Sequence, residues 1–100
     1  MNTEIISVEQ NSLASRSLGT EIRSKVLSSI ENGNKVILDL KNAEFISGSF
    51  ADELFGVLVE WKGLDWFKEN IRVLMTEPFV KTKILESIEY RQSLSQKKIA

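Results

Sequence analysis

The fold of this chain is decided by residues 35–54, which read KVILDLKNAEFISGSFADEL. The stretch opens with a nearly continuous apolar run, Val36 to Leu40, in which Asp39 is the one charged residue. Such a run is typical of a strand that is covered on both faces within a parallel sheet, because alternation with polar residues is then lost. We therefore predict that residues 35–40 form the central strand of a sheet.

A helix is predicted after the loop that follows this strand. Ser49 is a candidate N-cap, and Asp52, three residues later, gives a Ser-x-x-Asp variant of the capping box. Gly63 is expected to end the helix. Phe55 and Val59 widen the apolar arc beyond what one sheet face would cover, so they are expected to offer apolar surface to a partner. The apolar residues at helical spacing are Phe50, Leu54, Phe55, Val57, Leu58, Val59 and Trp61.

The residues before the central strand predict one strand and one helix. Residues 4–8 are a short β-branched run followed by a polar cluster, which is typical of a strand. From Leu18 the apolar residues recur every four positions as far as Ile30, and Ser17 stands where an N-cap is expected. Gly33 then supplies a residue that can adopt the left-handed conformation in which helices commonly end.

The last third of the chain predicts a further strand and helix. Residues 70–76 form a strand pattern, and Pro78 fits the first position of a helix that reaches about Arg91. Residues 93–100 have too little apolar content to pack firmly. We therefore expect one domain over residues 1–92, followed by a frayed tail.

Strand and helix patterns alternate as β-α-β-α-β-α along the chain, which indicates the α/β class. We predict a small layer of mixed or parallel sheet, with about three to four strands, packed with about three helices. Open sheets of this class bind partners at the carboxyl ends of their strands. The loop over residues 41–49 and the start of the next helix are therefore the candidate functional site.

Composition limits the functions that the chain can serve. A net charge of −1, from 13 basic and 14 acidic side chains, gives no long-range attraction to nucleic acid or to an anionic membrane. The absence of Cys and His removes thiolates and imidazoles from catalysis and from metal binding. The apolar runs are also too short for a membrane span. We predict a cytoplasmic protein that is not an enzyme, has no cofactor or metal, and binds neither nucleic acid nor membrane.

The segment ISGSFADEL, from Ile46 to Leu54, resembles the hallmark of the STAS-like domains of unknown function. These are bacterial proteins related to the STAS superfamily of anti-sigma factor antagonists. The preceding strand that ends in Leu-Asp-Leu, and the run from Ser15 to Gly19 before the first helix, are also similar. The resemblance covers about residues 15–90. It implies a STAS-like fold and a regulatory role without catalysis.

The resemblance also implies a partner and a modification. Regulatory STAS proteins dock a kinase of the GHKL ATPase type, which phosphorylates the first Ser of an Asp-Ser-Ser-Gly loop. Alignment by the Phe45-Ile46 pair places the Asp of that loop on Ser47, the phosphoacceptor on Gly48 and the second Ser on Ser49. The acceptor position therefore holds no hydroxyl. Either a neighbouring Ser is phosphorylated instead, or this branch does not use phosphorylation.

Our leading hypothesis is a protein-protein interaction module that docks an ATPase or kinase-like protein, such as a GHKL-type ATPase, through residues 42–49 and the following helix. Ser47 and Ser49 are the candidate phosphorylation sites, and the sequence leaves a homodimer open. The residues predicted to bind the partner are Asp39, Ser47, Ser49, Phe50, Phe55 and Val59.

Several candidate residues also have a purely structural interpretation. Ser49 could simply cap the helix, and Asp39 could accept hydrogen bonds from N–H groups of the turn that follows it. The aromatic side chains of Trp61, Trp66 and Phe67 could form an exposed contact patch or could close the bottom of the core.

Two other function classes stay open. A small-ligand or nucleotide sensor would use a crevice at the strand ends near Asp39 and Ser47. An enzyme with a Ser or carboxylate nucleophile is the least favoured class, because no His is present to activate a hydroxyl.

Overall fold

Parallel strands and helices alternate in the computed structural model, which describes the backbone of residues 2–99 and the side chains of residues 2–94. In chain order the elements are β1 (Asn2–Ser7), β2 (Ser12–Leu13), α1 (Arg16–Glu31), β3 (Asn34–Asp39), β4 (Phe45–Ile46), α2 (Gly48–Ala51), a π-helical turn (Asp52–Gly56), α3 (Val57–Lys62), α4 (Leu64–Asn70), β5 (Ile71–Leu74) and α5 (Pro78–Ile99). None of these helices is long and apolar enough to cross a membrane.

The main sheet has three strands, and β3 lies between β1 and β5. Both pairings are parallel, so the sequence-based prediction of a small α/β layer with a central strand at this position is confirmed. The short strands β2 and β4 pair in a separate parallel sheet. The sequence did not predict these two strands, because two residues are too few to show an alternating pattern.

The central strand is covered by helices on one face only. Val36 and Leu38 are buried and belong to the same core cluster as the apolar residues of the helices. Ile37, between them, is half-buried, and its neighbour on β1, Ile5, is 63% exposed. The prediction of a strand covered on both faces is therefore wrong. The apolar run at residues 36–38 alternates between a buried and a more open face, as in a sheet with helices on one side.

The first helix begins earlier than its apolar pattern indicates. Ser15 is its N-cap, and the Ser15 Oγ accepts a hydrogen bond from the Leu18 N–H at 3.1 Å. The prediction of Ser17 as the cap is wrong, because the helix already includes Arg16 and Ser17 therefore lies inside its first turn. At the other end Gly33 has a φ of 92°, which confirms its predicted role in ending the helix.

The elements α2, the π-helical turn and α3 follow one another without a break, and we call residues 48–62 the central helix. Gly63 ends it with a φ of 93°, as predicted. The short helix α4, which follows directly, was not predicted, because Gly63 reads equally well as the start of a long loop.

The last helix begins at Pro78, as predicted, but it continues to Ile99 instead of ending near Arg91. No Gly or Pro lies beyond Arg91 to stop it. The domain boundary after residue 92 and the fraying of residues 93–100 stay predictions, and Ala100 lies outside the described residues.

Two glycines allow the helices to approach closely around the π-helical turn. A Cβ added at Gly19 of α1 would lie 3.0 Å from the Cβ of Glu53. A Cβ added at Gly56 would lie 2.8 Å from the Cγ of Arg91 and 3.1 Å from the carbonyl oxygen of Ser87, both on α5. A side chain at either position would therefore force the neighbouring groups to shift, more so at Gly56 than at Gly19.

We expect Gly56→Ala to lower the free energy of unfolding by about 1–3 kcal/mol, because α5 must shift to make room for the methyl group. Replacing Gly by Ala inside a helix ordinarily raises stability by about 1 kcal/mol, so the expected change has the opposite sign. Gly48→Ala is the matched control, since a Cβ there meets nothing within 4 Å. Urea unfolding measures both variants, and equal stability of the two would contradict this account of the packing.

Candidate functional site

The loop at the carboxyl end of β3 is held by its own polar groups. The Asp39 Oδ1 accepts a hydrogen bond from the Lys41 N–H at 3.0 Å, and the Lys41 Nζ lies 3.9 Å from the Asp39 Oδ2. The Thr76 Oγ1 donates to the Lys41 carbonyl at 3.2 Å. Of the two interpretations of Asp39, the structure shows the turn, and partner binding by this residue stays a prediction.

Ser47 caps the central helix. Its Oγ accepts a hydrogen bond from the Phe50 N–H at 3.0 Å and donates to the Ala14 carbonyl at 2.7 Å. The helix begins at Gly48, so the prediction that Ser49 is its cap is wrong. The capping box with Asp52 is lost for the same reason, because the capping hydroxyl reaches only to Phe50. The Ser47 hydroxyl therefore already makes two hydrogen bonds within the fold.

The apolar residues that were expected to face a partner are inside the core. Phe50 and Phe55 are fully buried, and Val59 is 4% exposed. The prediction that they form an exposed docking surface is wrong. The physical reason is that the central helix lies between α1 and α5, so its wide apolar arc is covered from two sides and joins the common core cluster.

Ser49 lies instead in a surface groove between the start of the central helix and α5. The groove has a volume of about 340 Å³, and we call it the serine groove. Neither Asp39 nor Ser47 is among the residues that line it, so the structure does not gather the predicted polar site residues in one place. The lining residues are Arg16, Gly48, Ser49, Asp52, Lys83, Glu86, Ser87 and Tyr90.

Two exposed phenylalanines stack beside this groove. The ring centroids of Phe45 and Phe79 are 5.8 Å apart with an interplanar angle of 18°, and each side chain is 43% exposed. The Lys83 Nζ, which lines the serine groove, lies 5.6 Å from the Phe79 ring. We call Phe45 and Phe79 the aromatic pair. Sequence reasoning missed it, because its members come from β4 and α5 and only the tertiary fold brings them together.

Behind the groove, two carboxylates of the π-helical turn bind arginines from the neighbouring helices. Asp52 forms a bidentate pair with Arg91 of α5, at 2.8 and 2.7 Å. Glu53 lies 2.9 Å from Arg16 and 2.9 Å from Arg23, both on α1. We call these five residues the charge cluster. Asp52 also lies 3.5 Å from Arg16, so Asp52 contacts both outer helices and Glu53 contacts α1.

The hallmark segment that the sequence shares with STAS-like domains thus has a structural role here. Its Asp and Glu are the two carboxylates of the charge cluster. A family model described as a STAS-like domain of unknown function matches residues 19–81. The chain belongs to this family. Searches of the curated proteins and of the solved structures gave no match.

The tryptophans and Phe67 of this STAS-like domain divide between surface and core. Phe67 is buried and meets Phe55 edge-on, with centroids 6.1 Å apart. Trp61 is 58% exposed, and the Arg23 guanidinium lies 4.7 Å from its ring. Trp66 is half-buried. Trp61 therefore offers an exposed contact surface, as one interpretation held, and Phe67 closes part of the core, as the other held.

The arginines lower the pKa values of the cluster carboxylates. The hydrogen bond from Arg91 is the largest influence on Asp52, and that from Arg23 is the largest on Glu53. Partial burial acts in the opposite direction, but the arginines prevail. Both carboxylates therefore stay ionised under neutral and mildly acidic conditions, and neither is tuned toward proton transfer.

We expect the charge cluster to make the stability of the STAS-like domain depend on pH. The ordinary pKa values of these carboxyls are 3.8 for Asp52 and 4.5 for Glu53, and the folded state lowers both. Their contribution is therefore complete above about pH 5, and it is lost as the pH falls through the lowered pKa values. Asp52→Asn should be less stable than the wild type at pH 7, and the difference should shrink toward acidic pH.

Urea unfolding across this pH range measures the effect. Asp65→Asn is the control, since Asp65 is an exposed carboxylate of α4 outside the charge cluster. It should follow the wild-type pH profile. A constant difference between Asp52→Asn and the wild type at every pH would show that the pair with Arg91 carries no electrostatic stabilisation.

Proposed function

We propose that this STAS-like domain is a regulatory module without catalytic activity that docks a partner protein, an ATPase or kinase of the GHKL type. The docking surface consists of the exposed part of the loop over residues 42–49, the aromatic pair and the rim of the serine groove. The aromatic pair is the observation that carries the proposal. The aromatic pair takes the role of apolar contact surface that the sequence assigned to Phe50, Phe55 and Val59, which are buried.

The aromatic pair has the composition of an interface anchor. Aromatic side chains carry much of the binding energy at protein interfaces, especially where polar groups surround them and exclude water. Phe45 and Phe79 already contact each other, so a partner meets a pre-arranged apolar surface rather than two separate mobile rings. The charged residues Lys83 and Glu86 stand at the rim, where they favour specificity over affinity.

One stripe of α5 supports this surface. Four residues of α5 follow one another at intervals of three or four positions and therefore share one flank of the helix: Phe79, Lys83, Glu86 and Tyr90. Tyr90 is 59% exposed and adds a third aromatic side chain beside the groove. Leu85, which is 47% exposed, falls on a different flank of the same helix.

We expect Phe79→Ala to weaken partner binding at least tenfold, a loss of about 1.4 kcal/mol. The test immobilises the chain and measures its affinity, by biolayer interferometry, for purified GHKL-type ATPases from the source genome. Leu85→Ala is the matched control, because it removes a similarly exposed apolar side chain from α5. Its affinity should stay within about twofold of the wild type.

Thermal unfolding of both variants checks that the fold is intact, since both side chains are largely outside the core. Two results would contradict the proposal. One is a wild-type chain that binds none of these ATPases, and the other is an equal loss of binding in the Leu85→Ala control.

We further propose Ser49, rather than Ser47, as the phosphorylated residue in this module. The Ser47 hydroxyl already makes two hydrogen bonds that hold the start of the central helix. Ser49 lines the serine groove together with the cationic side chains of Arg16 and Lys83. The two carboxylates that line the groove are both paired, Asp52 with Arg91 and Glu86 with Lys83, which reduces their repulsion of a phosphate.

Phosphorylation by the partner is expected at Ser49 and should weaken docking, because the phosphate adds charge at the edge of the interface. The chain is incubated with the bound ATPase and ATP, and tandem mass spectrometry locates the phosphate. Ser47→Ala should still be modified, and Ser49→Ala should not. Modification at Ser47 would show that the capping hydrogen bonds do not protect that hydroxyl. A chain that stays unmodified would contradict the proposal that phosphorylation regulates docking.

A further inference from the structure

The first strand leaves one edge of the main sheet open. β1 lies at the end of the strand order, and among the described residues no strand pairs with its outer side. Five of its six residues are exposed. An open edge presents a row of N–H and C=O groups that can pair with another strand.

The hydrogen bonds that β1 makes with β3 determine which groups face outward. Just beyond β1, the Val8 N–H donates to the Asp39 carbonyl on the β3 side at 3.0 Å. Backbone groups of successive residues in a strand point to opposite sides, so Glu4 and Ile6 also face β3. The outward-facing groups are those of the alternate residues Thr3, Ile5 and Ser7.

This edge lacks the features that usually prevent strand pairing. β1 contains no Pro and no Lys, and Glu4 is its one charged residue. A groove of about 640 Å³ lies along β1, between Ile5 on the strand and Lys25 and Ser28 on α1, so α1 leaves this side of the strand open. The opposite edge, β5, is shorter, and its charged Arg72 is exposed.

We propose that β1 pairs in antiparallel fashion with β1 of a second copy of this chain, about a two-fold axis at Ile5. This register places Ile5 opposite Ile5 of the second copy and Thr3 opposite Ser7, so every outward-facing residue meets another. Three such pairs, each exchanging two bonds, give about six hydrogen bonds between the copies. The two main sheets become one continuous six-stranded sheet.

The sequence of β1 favours its own copy as the occupant of this edge. The axis brings together two Ile5 side chains that are each 63% exposed in the single chain, and their contact removes apolar surface from water. Glu4 faces Ile6 of the second copy rather than another carboxylate. The Thr3 and Ser7 hydroxyls meet across the strands, where they can hydrogen-bond. Shifting the register by two residues would lose at least one of the three pairs.

Cysteine variants test both the pairing and its register, because the chain has no Cys of its own. Ile5→Cys places two sulfur-bearing side chains on Cα atoms about 5.5 Å apart, within the range of a disulfide. Thr3→Cys is the matched control, since the Cα atoms of its two copies lie about 14 Å apart in this register. The double variant Thr3→Cys with Ser7→Cys brings the two different positions together across the axis.

Under mild oxidation we expect Ile5→Cys and the double variant to form a covalent dimer, and Thr3→Cys to remain a single chain. Sedimentation velocity of the wild type should show a species of twice the chain mass of 11.4 kDa. Ile5→Lys should abolish that species, because two ammonium groups would meet on the axis. Leu85→Lys, which alters an exposed side chain of α5, should keep it.

A wild-type chain that stays a single copy at its highest soluble concentration would overturn the proposal. So would a Thr3→Cys variant that crosslinks as fast as Ile5→Cys. Circular dichroism of Ile5→Lys verifies that β1 remains folded, as expected for a residue that is mostly exposed. These readouts need no ATPase, so they are independent of the docking experiment.

Discussion

The carboxylates of Asp52 and Glu53 hold the two outer helices of this domain to its central helix. Asp52 binds Arg91 of α5 and also contacts Arg16 of α1, and Glu53 binds Arg16 and Arg23 of α1. The two carboxylates come from adjacent positions in a π-helical turn. Such a turn widens the helix locally and changes the direction in which adjacent side chains point. Removing the Asp52 carboxylate would leave Arg91 its contact with Glu60, whereas removing the Glu53 carboxylate would take the 2.9 Å ion pairs from both Arg16 and Arg23.

The same arrangement explains why the expected docking surface is not on the central helix. Because α1 and α5 approach it closely at Gly19 and Gly56, its apolar side chains are enclosed. The exposed apolar groups near the carboxyl end of the sheet are instead the rings of Phe45 and Phe79, which lie beside the serine groove. The proposed docking surface is therefore formed by the loop before the central helix and one flank of α5, while Asp52 and Glu53 of the hallmark segment hold the helices together.

The proposed docking surface and the open edge of β1 are separate parts of the molecule. The docking surface is built from the loop before the central helix and one flank of α5, whereas the open edge belongs to β1 of the main sheet, and no β1 residue lines the serine groove. A pairing through β1 would leave the docking surface uncovered on both copies. One assembly could then present two docking surfaces, which raises apparent affinity for a partner that is itself multivalent.

The sequence by itself determined the order of the main strands and helices, the α/β class, the resemblance to the family, and helix boundaries such as Gly33, Gly63 and Pro78. These features follow from short-range effects, since the apolar period and the conformational limits of Gly and Pro act within a few residues. Only the tertiary structure decided that Ser47 rather than Ser49 is the cap, that Phe55 is buried, and that the aromatic pair exists. Each of these depends on groups far apart in the chain, such as the Ala14 carbonyl that Ser47 reaches and the α5 helix that covers the central helix.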